Sequence, residues 1–179
     1  MSRKRFGHWE GDLIEFSGTK QKTVTTLVER KSRIVILLKN DNKSSKPVIN
    51  KIKEKLMPLP DQMCQSITFD QGSEFAQYGE LERELNCKVY YCHVQSPGQK
   101  GSNENMNGRL RRYLPRTASV EAITQLQLDE LAAKMNPPLE SVSALKRHRS
   151  CLFSSIKMTV ALGARAHLLP SPAMFARNK

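Results

Sequence analysis

The sequence predicts a single α/β domain built on a mixed five-stranded sheet. Three observations carry that expectation. Three strand-like runs follow one another in the first forty residues with only short turns between them. Helical and strand-like patterns then alternate up to residue 136. The chain, at 179 residues with 39% hydrophobic and 26% charged, is long and apolar enough for one folded core.

The first run is GHWEGDLIEF, the second is KTVTTLVER, rich in Val and Thr, and the third is RIVILLKN, almost wholly aliphatic. SGTKQ and RKS between them have hairpin lengths, so the three strands form an antiparallel meander. From Ser44 to Leu56 the period changes. Val48, Ile49, Ile52 and Leu56 recur at helical spacing with lysines opposite, and Ser44 or Ser45 can cap the start. QSITFD reads as a fourth strand, and Phe75, Tyr78, Leu81 and Leu85 as a helix ended by Asn86. KVYYCHV is the fifth strand. SPGQKGSNEN runs into a helix carrying Met106, Leu110 and Tyr113, and residues 121–135 form a last amphipathic helix. Right-handed crossovers then place the fourth and fifth strands parallel in the same sheet.

Composition narrows the function. The formal charge of +12 and pI near 9.8 point to a polyanionic partner, nucleic acid first. No apolar run approaches the roughly 20 residues of a membrane helix, and MSRKRFGHWEGD has no apolar core behind its basic residues, so membrane and secretory readings are set aside. Cys64, Cys87, Cys92 and Cys151 form no CxxC pair, which favours reduced thiols in a cytoplasm over a zinc site. Residues 137–179 are distinct, with seven Lys/Arg, one acid and no periodicity.

Three acids sit where chemistry is plausible. Asp12 lies inside the first strand, Asp70 at the end of the fourth, and Glu104 at the start of a helix. Carboxylates converging from separate elements repel unless a cation neutralises them, and hard oxygen donors favour Mg2+ or Mn2+. Two such ions can activate a water or a 3′ hydroxyl and stabilise a leaving oxygen. Each acid alone also has a structural reading: Asp12 facing solvent, Asp70 capping a turn, Glu104 matching a helix dipole.

The segments GHWEGDLI, TFDQGSEF and SPGQKGSNENMNGRLRRYLP resemble the DDE transposases of the IS-thirty insertion-sequence family, whose fold is like that of retroviral integrases and ribonuclease H. The resemblance covers about residues 5–136. It implies that Asp12, Asp70 and Glu104 are the catalytic acids and the ligands of two Mg2+ or Mn2+ ions. Thirty-three residues separate Asp70 from Glu104, the separation that family shows. The implied reaction is hydrolysis of a DNA strand at the element's end, then attack of the freed 3′ hydroxyl on target DNA. The implied setting is a homodimer or higher multimer acting on transposon ends and target in a bacterial cytoplasm, near the nucleoid.

Neighbouring residues suit DNA. Glu104, Asn107 and Arg111 share a helix face, and Asn107 can orient a ligand or touch sugar-phosphate. Lys100, Asn103, Arg111 and Arg112 are candidate DNA contacts. His8 and His93 could shape the site, Trp9 reads as packing, and Glu74 supports the helix after Asp70. The competing readings are an inactive remnant that only binds DNA, and a ribonuclease H-like nuclease.

The sequence departs from the family in three places. Gly98 stands where the family has Trp in SPWQ, removing an aromatic platform. The sequence opens at the edge of the catalytic domain, so the helix-turn-helix segments that precede it in the family are expected to be absent. After Asn136 the chain reads PPLESVSALKRHR in place of a stretch like TPRKCLGFKTP. One back-translation of Leu139 to Arg149, read two bases later, restores that stretch. The expectation is a catalytic core over 1–136 and a frameshifted, poorly ordered basic tail over 137–179.

Overall fold

A computed structural model describes residues 5–92 and 100–137. The tail, apart from residue 137, and the segment holding His93 and Gly98 lie outside the described residues. Among the described residues no helix is long and apolar enough to cross a membrane.

The meander forms as the runs suggest: β1 (His8–Phe16), β2 (Thr19–Glu29) and β3 (Val35–Asn40) pair antiparallel. Helix α1 (Ser45–Leu56) then leads to β4 (Ser66–Phe69), which pairs parallel with β1, and helix α2 (Gly79–Leu85) to β5 (Lys88–Tyr91), parallel to β4. The sheet order is β3-β2-β1-β4-β5. Helices α3 (Gly101–Leu110) and α4 (Gln125–Met135) complete a ribonuclease H-like α/β fold.

Alternation along the strands splits the core in two. One face packs Trp9, Leu27, Ile67 and Phe69 against Val48, Ile49, Ile52 and Leu56 of α1, with Phe75 and Leu81 closing the cluster. The other packs Ile14, Val24, Val28, Val35 and Leu37 against Met106 and Leu110 of α3 and Leu128 and Leu131 of α4.

Local details differ from the sequence expectations for identifiable reasons. Ser44 is the N-cap of α1 but its side chain makes no capping bond; Ser45 Oγ instead accepts from the Gln77 amide at 2.9 Å. The helix expected from Phe75 to Leu85 is a 3-10 turn at Ser73–Phe75 followed by α2 from Gly79, and Asn86 ends it in the left-handed conformation (φ 46°). The last helix starts at Gln125, where Thr124 and Gln127 form a reciprocal capping box, so Leu126 points to solvent.

The outer edge of β3 is closed by side chains from both ends of α4. Asn136 Oδ1 accepts from the Val35 amide (2.7 Å) and its Nδ2 donates to the Val35 carbonyl (3.1 Å). Gln125 Oε1 accepts from the Lys39 amide, and its Nε2 donates to the Leu37 carbonyl, each at 2.8 Å. A sheet edge that would otherwise expose unpaired backbone groups is thereby satisfied.

Candidate active site

The pairing of β1 with β4 builds the site. Glu10 stands opposite Thr68 in the parallel register, so two residues further on Asp12 comes beside Asp70, just past the end of β4. This is the carboxyl end of adjacent parallel strands, where α/β sheets place their ligands. Close approach is possible because Gly11 leaves room: a Cβ there would lie 2.5 Å from Cδ1 of Phe69 and closer still to Cε1. Phe69 is itself stacked on Phe75 with centroids 4.1 Å apart.

Both carboxylates meet one ammonium. Lys100 Nζ donates to Asp12 Oδ1 at 2.9 Å and to Asp70 Oδ2 at 3.0 Å, with its side chain only 12% exposed. The other Asp12 oxygen, Oδ2, accepts from Asn107 Nδ2 at 2.8 Å. Burial raises the Asp12 pKa against the pull of Lys100, and the nearby Asp70 charge adds to the rise. For Lys100, burial works to lower the pKa, but the two carboxylates outweigh it and the net shift is upward.

Helix α3 runs over β1 in the same direction. The Asn103 amide donates to Glu10 Oε2 (2.9 Å), Asn107 reaches Asp12, and Arg111 lies over the Phe16 ring, 5.4 Å from its centroid. One helical step of four residues rises about 6 Å and two strand residues about 6.6 Å, so the first contacts stay in step. Glu104 is in the first turn of α3, exposed, three residues from Asn107.

Several expected DNA contacts sit elsewhere. Asn103 is fully buried, because the first turn of α3 faces the sheet, and its Oδ1 accepts from the Thr26 hydroxyl at 3.1 Å. Lys100 is turned inward onto the two aspartates. Arg111 donates to the Glu15 carbonyl (2.9 Å) and the Leu114 carbonyl (3.5 Å), tying α3 to the end of β1. Arg112 is exposed. Trp9 is packing, buried with Nε1 donating to the Met63 carbonyl at 2.7 Å. His8 bonds Ser66 Oγ through Nδ1 at 2.8 Å, and burial followed by Arg30 lowers its pKa. Glu74 folds back over Gly72, so close that a Cβ on Gly72 would meet its carboxylate.

Glu10 was not singled out from the sequence. It is fully buried, paired with Arg30 at 2.9 Å, and it anchors the start of α3. Its spacing of two from Asp12 on the same strand was the available signal, since both then face α3.

Among the described residues no three His, Cys, Asp or Glu side chains gather as a metal-holding group. The fit to a divalent cation rests on the donor set: two hard carboxylates converge on a point that already holds a positive charge, and an amide fixes the free oxygen of one of them.

The family description "Integrase core domain" matches residues 2–97. The chain belongs to the integrase core domain family. This integrase core is 43% identical over 135 residues to the transposase InsI for insertion sequence element IS30C of Escherichia coli K12, a match covering 75% of this chain and 35% of the relative. It is 41% identical over 130 residues to the transposase for insertion sequence element IS1086 of Cupriavidus metallidurans, covering 73% and 38%. The integrase core thus spans little more than a third of the length of these relatives. A chain in the cryo-EM structure of the simian T-cell lymphotropic virus intasome in complex with PP2A regulatory subunit B56 gamma shares the fold, with TM-score 0.52 and 13% identity over 99% of this chain and 56% of that one.

Proposed function

We propose that this chain is the catalytic core of an insertion-sequence transposase that cuts DNA at element ends and joins the freed 3′ hydroxyl to target DNA. The observation that carries the reading is the meeting of Asp12 and Asp70 on a single cationic group at the ends of adjacent parallel strands. In this reading Asp12, Asp70 and Glu104 hold two Mg2+ or Mn2+ ions. When bound, such ions supply the charge that activates water or a 3′ hydroxyl and stabilises the leaving oxygen.

The chain's own residues supply position. Asn107 fixes the Asp12 carboxylate, and the Glu10–Asn103 bond fixes the helix that carries both Asn107 and Glu104. Arg112 is available to DNA phosphates at the exposed end of the same segment. We place the end of the catalytic unit at Asn136, whose side chain closes the β3 edge; residues 137–179 are then a separate tail. Sequencing the gene around residue 136 tests the frameshift: codons that do not restore the family's stretch when shifted would exclude it. The protein acts on DNA as a multimer, in the bacterial cytoplasm at the nucleoid.

The test is a Mg2+- or Mn2+-dependent nicking and strand-transfer assay on element-end DNA, comparing the chain with Asp70→Asn. Loss of both activities in the variant is expected. Equal activity in both proteins, or cleavage without divalent metal, overturns the assignment.

A further inference from the structure

Next to the catalytic face, α3 presents a second stripe. Ser102, Asn105, Met106 and Arg109 recur at helical spacing, rotated about 100° from the residues that face β1. Together with Gly101 and Arg33 from the turn between β2 and β3, they line a cavity of about 420 Å³. That is within the range of small-ligand sites.

The charge in this cavity is unbalanced. Arg33 Nη1 donates to Ser102 Oγ at 2.9 Å, which uses one of its five guanidinium donors. The residue is held at φ 64°, a conformation uncommon outside glycine, by the bond from its amide to the Glu29 carbonyl at 2.9 Å. Arg109 makes one long bond, from Nη2 to the Met135 carbonyl at 3.4 Å. Among the described residues neither arginine has a carboxylate partner. Lys100 and Arg30 differ, since each is paired with buried or half-buried acids. Ser102 is buried and its Oγ accepts from Arg33, which fixes that guanidinium at the cavity wall, and Asn105 adds an amide at the exposed rim. Two guanidinium forks and an amide around one cavity match a tetrahedral oxyanion.

We propose that this cavity binds a backbone phosphate of DNA flanking the phosphate that reacts at Asp12 and Asp70. The inference rests on DNA being the substrate, as proposed above. The placement fits: the cavity begins at Gly101, the residue after Lys100, so a phosphate held there lies on the backbone next to the one that reacts. Arg33 and Arg109 hold the strand beyond the reacting position, on a helix face distinct from the one carrying Asn107.

The salt dependence of duplex DNA binding by the full chain, read by fluorescence anisotropy, tests this. Each neutralised phosphate contributes about 0.9 to the slope of log K against log salt. The double variant Arg33→Gln/Arg109→Gln is expected to lower the slope by about 0.9, the share of the one phosphate the pair holds, and each single variant by part of it. Arg109→Lys, which keeps the charge, retains the slope. Arg83→Gln, on α2 across the sheet and paired with Glu84, also leaves it unchanged, separating a local contact from net charge. Should Arg33→Gln fail to fold, Arg109→Gln carries the test alone. Unchanged slopes in folded variants of a chain that binds DNA overturn the cavity alone. Absence of DNA binding by the unaltered chain overturns both this inference and the function on which it rests.

Discussion

Gly11→Ala is the sharpest probe of how the two aspartates are brought together. The added methyl would stand 2.5 Å from Cδ1 of Phe69, and 3.4 Å from Cδ2 of Leu27. Carbon atoms pack at about 3.5–4.0 Å, so the ring must retreat by roughly 1 Å. It has nowhere to go, because Phe69 is fully buried and stacked on Phe75 at 4.1 Å. Overpacking of this kind costs about 1–3 kcal/mol, and the gain from removing a strand glycine returns about 0.5–1 of that. With no space for the ring to enter, the upper end of that cost applies, and the net expectation is a loss of about 2–2.5 kcal/mol in urea denaturation, with an unchanged slope. Phe69 precedes Asp70, so the retreat also displaces the carboxylate, and Mn2+-induced stabilisation should fall in the same variant. Adding Phe69→Leu removes the offending ring edge, so the double variant should be less destabilised than the sum of the singles. A Gly11→Ala protein with unaltered stability would refute the reasoning, as would strictly additive singles.

Other outcomes follow from the same geometry. Asn136→Ala removes two bonds to the β3 edge, costing about 2 kcal/mol; faster hydrogen exchange at the Val35 amide should accompany it, and wild-type protection there would contradict the edge-closing role. Lys100→Gln leaves Asp12 and Asp70 without their shared counter-charge, so the metal-free protein should melt lower and gain more from Mn2+ than the parent. An identical Mn2+ response would separate Lys100 from the proposed metal site. Burial, with help from Tyr78 and Glu82, pushes the Tyr91 phenol up to about 12 from an ordinary 10. The folded state thus holds that proton more tightly than the unfolded chain. The contribution is intact below pH 10 and is lost as pH rises through about 12; ultraviolet titration of the parent against Tyr91→Phe should show the late step only in the parent.

The sheet was legible because its signals are local. Val and Thr alternation, aliphatic runs and short polar turns mark each strand within its own few residues, and the order of strands and helices then limits the topology. The neighbourhood of Asp12 and Asp70 was legible through that order and through the family motifs that carry the two residues. What the residues of α3 do was less so. Asn103 looks like a surface amide, yet its turn of helix faces a buried glutamate 93 residues earlier. Lys100 looks like a loop cation available to phosphate, and its commitment to two aspartates depends on contacts 88 and 30 residues away. Nothing near Arg33 in the sequence marks it as the wall of a cavity. Its conformation is set by a turn, and its partner Ser102 by a helix 69 residues further on.

The matched advance of α3 over β1 has a consequence for how this chain tolerates change in length. One residue inserted between Asn103 and Asn107 turns the amide about 100° away from Asp12 while the start of the helix stays bound to Glu10. One residue inserted between Glu10 and Asp12 sends the carboxylate through the sheet, onto the side occupied by Phe69. Neither error can be absorbed by a side-chain rotation. Insertions in the turn after β1 or in the stretch between α3 and α4 would leave both contacts in place. The site is therefore intolerant of length changes in two windows of a few residues, with turns that can absorb them lying outside.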